Sequence, residues 1–327
     1  MIGGLTPHAA ASALLEAMRA EGMRPRDPGA VAADLLRGKL VRFPCEGDNG
    51  PNGWAVLHCD GRPAGAFGSW KLGVQGRWCA GSGIAGTNRR DLAAIAARQA
   101  QERQDRETRH YETERQACRL WQASSPAGNH RYLVTKRLAE AAAGQGNPRR
   151  QIVVRRSGDD LLVAMRTVAT SLCNLQRIGP DGRKRFLSGG RLHGAFWSAG
   201  RFAGAPIIAV GEGFATMAAV HVATGLPVAA AMTAGNLDVV VLALHGRCPE
   251  AQLILCADMD TGPQGNLGLE KANAAAAAVP NALVARPPLP AVWPEGKGHD
   301  FADTFKAPGG GDLIRRALGM KGNPHGS

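Results

Sequence analysis

The chain is short of paired cysteines, aromatic residues and long apolar runs. Its seven cysteines are scattered, with no Cys-x-x-Cys pair. They spell out neither a disulfide framework nor a zinc ribbon. No apolar run approaches the ~20 residues needed to span a bilayer, and the start alternates Ala with charged residues instead of forming a signal pattern. A reduced, cytoplasmic protein with no membrane partner is expected. Tyr111 and Tyr132 are the two tyrosines of the sequence. Tyr111 lies in a predicted solvated helix, a poor place for a tyrosine nucleophile, which argues against strand transfer through tyrosine.

Positive charge is abundant. The 327 residues carry 39 Lys and Arg against 27 Asp and Glu, a formal charge of +12. A polyanionic partner, nucleic acid first, is the expectation. The charge is uneven: residues 131–191 hold 13 basic and 4 acidic residues, whereas 206–318 hold 7 basic and 10 acidic. A basic block thus precedes an acidic one, the two parts a metal-dependent enzyme acting on a polyanion would need.

Predicted elements give an α/β protein (α+β overall) in five parts. Residues 1–87 hold two short helices, over 7–22 and 25–39, and a Gly- and Trp-rich β-meander over 40–82. Trp54, Phe67, Trp70 and Trp78 form its core or part of a stacking face. Residues 88–148 read as a helical linker, solvated over 88–122, where opposite charges fall at helical spacing. Residues 149–205 read as a basic subdomain with strands at 151–154, 161–165 and 171–178. Residues 206–318 alternate strand and helix and read as a parallel-sheet domain ending in a helix near 302–318. Residues 287–294 read as a Pro-rich loop, and 319–327 as a disordered tail.

Three acidic motifs sit where such a sheet places its chemistry. The apolar run Ile207–Gly211 ends on Glu212-Gly213. A second run, Leu253–Ala257, ends on Asp258-Met259-Asp260. Further on come Asp300 and Asp303, in Gly298-His-Asp-Phe-Ala-Asp303. Acids at the carboxyl ends of parallel strands gather at one edge. They repel one another unless they hold a divalent cation. The plainer reading is that each acid caps a helix.

This set, in this order over about 110 residues, resembles the Toprim domain shared by DnaG-type primases, type IA and II topoisomerases and OLD-family nucleases. The upstream stretch Asn174-Leu-Gln-Arg-Ile-Gly-Pro-Asp-Gly-Arg-Lys-Arg-Phe-Leu-Ser-Gly-Gly190 looks like the basic strand-turn-strand of primases from plasmids, satellite phages and integrative elements. Residues 53–70, 130–136 and 211–227 resemble the same group, so the likeness spans roughly 38–306. It implies a DNA primase: a DNA-directed RNA polymerase, hence a nucleotidyltransferase, making short RNA primers on single-stranded DNA from NTPs. Mg2+ is the implied cofactor, with Mn2+ able to substitute.

By that resemblance Glu212, Asp258 and Asp260 are catalytic, and with Asp300 and Asp303 they hold metal. Arg166, Arg177, Lys184 and Arg185 contact template or nucleotide. Lys271 is a further candidate phosphate contact beside its plainer reading as a solvated helix lysine. Trp54, Trp70 and Lys71 are the candidate DNA contacts of the N-terminal module. Cys45, His58, Cys59 and Cys79 lie where related primases carry a zinc ribbon, but their spacing is wrong for one, so a zinc-free module is expected. No phosphate-binding loop follows the acidic block, so a separate replicative helicase or replication initiator is the expected partner. The alternatives are an OLD-like metal-dependent nuclease and a non-catalytic single-strand binding module.

Overall fold

Thr6 and Asp27 each open a helix whose first residue is proline: α1 (Pro7–Ala20) and α2 (Pro28–Leu35). The Thr6 hydroxyl accepts from the Ala9 N–H and the Asp27 carboxylate from the Ala30 N–H. Proline at that position gives up no helical hydrogen bond. The two helices cover one face of an antiparallel meander, β1 (Val41–Phe43), β2 (Gly53–His58), β3 (Ala64–Ser69) and β4 (Val74–Cys79). Alternation sends Phe43, Ala55, Leu57 and Phe67 inward against Leu14, Met18 and Leu35. The strand register puts Arg42, Trp54, Ala66, Gly68 and Arg77 together on the other face.

The computed structural model describes residues 5–48, 50–80, 89–169, 171–260, 265–289 and 298–320. The chain divides into two units, Met1–Gln101 and Glu102–Ser327. Helix α3 (Arg89–Gln122) runs through the division. It is not solvated throughout. The Thr113 hydroxyl donates to the Ser188 carbonyl at 3.0 Å. Ala117, Leu120 and Trp121 pack on Leu162, Ala164, Leu175 and Leu187. Among the described residues no helix is long and apolar enough to cross a membrane.

The second unit contains two sheets. The first is antiparallel, in the order β5 (Ser125–Pro126), β6 (Arg155–Ser157), β7 (Asp160–Arg166), β8 (Leu172–Ile178) and β9 (Lys184–Phe186). The second comprises β10 (Trp197–Ala199), β11 (Ile207–Gly211), β12 (Val228–Ala230), β13 (Gln252–Cys256) and β14 (Leu283–Ala285), ordered β10-β12-β11-β13-β14. Its last four strands in chain order are parallel, and β10 is an antiparallel edge. Arg166 and Phe196 exchange two backbone hydrogen bonds of 2.8 Å, which stitch the sheets together.

Both faces of the parallel sheet are covered, which is why its strands read as unbroken apolar runs. Ala209 faces a layer containing α4 (Arg131–Thr135), α5 (Ala139–Ala142) and α6 (Phe214–Thr224). There Tyr132, Leu133, Leu138 and Phe214 share one core. Ile208 and Val210 face α7 (Leu237–Arg247) and α8 (Leu267–Ala277). The α/β class expected from the sequence is thus the one observed.

Two expected elements differ. Residues 151–154 are extended, with Ile152 and Val154 buried and Val153 exposed, yet they pair with no strand. Alternation reports burial, not a ladder partner, and pairing starts at Arg155. The single C-terminal helix is two, α9 (Phe301–Lys306) and α10 (Gly310–Ala317). Ala307, the residue before Pro308, is extended at ψ 155° and ends α9, and Gly309 at φ +69° precedes the first turn of α10. The Pro-rich loop beyond Leu289 and the tail beyond Met320 lie outside the described residues.

Candidate active site

Three connections bring the acids together. The run β11 ends at Glu212, whose carbonyl accepts from the Met232 N–H at 2.7 Å beyond β12. The run β13 ends just before Asp258. Met259 and His299 exchange two backbone hydrogen bonds of 2.9 Å, drawing the Asp258–Asp260 loop against the segment that ends in Asp300. His299 is itself buried, with Nε2 at 3.0 Å from the Pro287 carbonyl.

The result is a cavity of about 210 Å³ at the carboxyl ends of the parallel strands. Glu212, Asp258 and Asp300 line it, together with Tyr132, Lys136, Gln176, Lys184, Thr216 and Met232. Met232 holds a left-handed φ of +70°. That is costly for a side chain with a Cβ, and such strain clusters at functional sites.

The acids act on one another. Burial first, then the charges of Asp300, Glu212 and Asp260, push the Asp258 carboxyl up to about 7, against the opposing Lys184. Burial and Asp260 also raise Glu212, while Lys184 and a hydrogen bond from the Ala234 N–H lower it. The Asp258 Oδ1 is buried and has no hydrogen-bond partner. A buried carboxylate oxygen with no donor is costly unless a cation completes it.

Asp260 is exposed. Its Oδ2 accepts from the Gly268 N–H at 2.9 Å in the first turn of α8. A Cβ at Gly268 would lie 2.5 Å from the Asp258 carbonyl, so glycine is what lets the helix start this close to the acids. Asp300 lines the cavity and also caps α9, accepting from the Asp303 N–H at 2.8 Å. Asp303 is engaged by Lys306 at 2.7 Å, and Lys306 holds its carboxyl below the usual range. The helix-cap reading therefore holds for Asp300 alongside its place at the site; α8 is capped by Asn266, and Glu212 does not cap α6, whose N-cap is Gly213.

The donor set fits a divalent cation: a partnerless buried carboxylate oxygen, with three further acids whose charges bear on it. Among the described residues no group of three or more His, Cys, Asp or Glu side chains stands together closely enough to hold a metal ion as placed.

The basic residues separate. Lys184 reaches the cavity. Arg177 and Arg185 are cross-strand partners, one residue out of phase with Lys184, so they project from the opposite face of that sheet, the face that packs on α3. Arg177 is also ion-paired with Asp160. Arg166 lines a different cavity, with Phe196, Phe202 and Arg247. Lys271 is exposed on α8 and is not among the cavity's lining residues.

In the first unit Trp54 and Trp70 lie with ring centroids 6.3 Å apart, and the Arg42 guanidinium sits 5.0 Å from the Trp70 ring. Phe67 is core, so the stacking face consists of Trp54, Trp70 and Arg42. Lys71 pairs with Asp48 at 2.8 Å, which holds the Asp48 carboxyl below its ordinary range. Cys45 is buried in the module's core.

Tyr132, Lys136, Gln176, Thr216 and Met232 were not singled out from sequence. They lie on elements remote in the chain and meet only through packing. The available signal is that Tyr132 and Lys136, Gln176 and Thr216 lie in the stretches 130–136, 174–190 and 211–227 that carry the resemblance.

Residues 207–310 match the Toprim domain family, and this part of the chain is a Toprim domain. The relatives sharpen the class. One DNA primase TraC of Escherichia coli is 31% identical over 279 residues, covering 81% of this chain and 18% of that protein. A second TraC from the same organism is 30% identical over 256 residues, 75% of this chain and 24% of the relative. The chain thus spans about a fifth to a quarter of the length of the curated relatives it matches. Among solved structures, one describes bacteriophage T7 lagging-strand DNA polymerase interacting with primase domains of two gp4 subunits bound to an RNA/DNA hybrid and dTTP. A chain in it shares 18% identity, with a TM-score of 0.38, covering 52% of this chain and 82% of that one. A likeness that slight carries no argument.

Proposed function

We propose that this chain carries the primer-synthesising centre of a DNA primase, adding NTPs on a single-stranded DNA template by nucleotidyl transfer. The observation that carries the reading is the cavity itself: Asp258, with one carboxylate oxygen buried and partnerless, lines it with Glu212, Asp300, Lys184 and Lys136, and the charge of Asp260 bears on it. Similarity to TraC over four fifths of the chain supports it.

A primer's 3′-hydroxyl attacks the α-phosphorus of an incoming NTP, and pyrophosphate leaves. Asp258, Glu212, Asp260 and Asp300 would hold a divalent cation, Mg2+ in preference to Mn2+, which would supply positive charge against the phosphates. Lys184 and Lys136 hold the triphosphate. Glu212, whose proton affinity burial raises, would either share in holding the cation or take the proton from the hydroxyl. Asp303, tied to Lys306, buttresses the start of α9. Arg42, Trp54 and Trp70 present stacked rings and a cation to single-stranded DNA.

The five-part organisation is our functional division: template module, linker, basic subdomain, Toprim domain, tail. A separate helicase or replication initiator in the cytoplasm completes the assignment, as expected for a mobile element's replication. The test is synthesis from labelled NTPs on mixed-sequence single-stranded DNA with Mg2+. Template-dependent short products that vanish in Glu212→Gln support the proposal. Metal-dependent cutting of the DNA without synthesis would replace it with the nuclease reading.

A further inference from the structure

Gln176 lies on β8, is 3% exposed, and lines the acidic cavity. Its Oε1 is buried with no hydrogen-bond partner. A buried amide oxygen without a donor costs folding free energy, so a ligand that supplies one gains both the bond and relief of that cost. From these observations we infer that Gln176 accepts a hydrogen bond from a ribose hydroxyl of the bound nucleotide. This rests on the reading of the cavity as a nucleotide site.

The chemistry narrows the donor. Phosphates offer acceptors alone at neutral pH, and the four acids compete for cations. Base donors differ among the four nucleotides, and a template-directed enzyme must accept all four, so a fixed side chain that demanded one base donor would oppose the reaction. Sugar hydroxyls are the donors that all four nucleotides share. Geometry agrees. Gln176 pairs with Phe186 and Ile178 with Lys184 across β8 and β9, on one face. Gln176 and Lys184 are therefore diagonal neighbours, roughly 7–8 Å apart. The position is rigid, because the ladder fixes its backbone and Phe186 flanks it.

The test is calorimetric binding of ATP, 2′-deoxyATP and 3′-deoxyATP with Mn2+ to the full chain. The wild type is expected to bind ATP roughly tenfold more tightly than one of the two deoxy analogues, and that analogue identifies the hydroxyl read. Gln176→Met is expected to bind ATP as weakly as the wild type binds that analogue, with affinity for the analogue unchanged. Should Gln176→Met fail to fold, Gln176→Asn, which withdraws the amide, gives the same pattern. Lys184→Ala weakens all three ligands together. Discrimination that survives in the variants would overturn the inference, as would a parallel loss for all three nucleotides, which marks a structural or metal-holding role. A wild type that binds none of the three would bring down the nucleotide reading of the cavity and this inference with it. Binding without Gln176-dependent discrimination would sink the inference alone.

Discussion

Asp258→Asn should stabilise the metal-free protein while ending its activity, a combination that a structural carboxylate would not give. The substitution keeps shape and removes charge. The carboxyl is pushed from 3.8 to about 7, so the folded state binds its proton more tightly than the unfolded chain does. The sign follows: below pH ~4 the group costs nothing, stability falls as pH rises from about 4 to 7, and above 7 the full penalty applies. Three units correspond to about 4 kcal/mol at most, and to about 2 kcal/mol after allowance for partial solvent access. For a unit of this size that is roughly 4–8 °C in Tm. Thermal unfolding in chelator at pH 8 should show Asp258→Asn melting higher than wild type by that amount, with the gap closing toward pH 4. Mn2+ should raise the wild-type Tm at pH 8 and leave the variant nearly unmoved. The reasoning fails if the variant melts lower at pH 8, or if the gap is independent of pH.

Other outcomes follow from the geometry. Lys184→Ala should raise the KM for NTPs tenfold or more, whereas Arg185→Ala, on the opposite face of the same hairpin, should leave it within twofold; steady-state incorporation separates the two. Trp54→Ala and Trp70→Ala should each weaken single-strand affinity by about 1–3 kcal/mol in fluorescence anisotropy, with NTP binding unchanged. Equal affinity in both variants would remove that face from template contact. Gly268→Ala, with its Cβ driven into the Asp258 carbonyl, should lose metal-induced stabilisation before it loses the fold, read as a smaller Mn2+ shift in Tm.

Glu212 and the Asp258–Asp260 pair were legible because each follows a short apolar run, whereas Asp300 and Asp303 were found through the resemblance. Such runs are forced on strands covered on both faces, as Ile208, Ala209 and Val210 are. The parallel sheet and most helix positions follow from the same logic. Three things were not legible. The division of Lys184 from Arg177 and Arg185 depends on which residue of β9 opposes which of β8, and a run of basic residues does not announce its register. Gln176 and Lys136 come to one cavity from elements remote in the chain, and the residue types at those positions do not mark the contact. Residues 151–154 show the limit of alternation, since Ile152 and Val154 are buried in the core although the segment is paired in no ladder among the described residues.

Where the cation sits decides the central claim. A crystal of the protein grown with Mn2+ and a non-hydrolysable NTP analogue should show anomalous density within bonding distance of the Asp258 Oδ1, shared with at least one of Glu212, Asp260 or Asp300, and with the triphosphate toward Lys184. Mn2+ bound elsewhere, or an analogue seated away from these acids, would contradict the account.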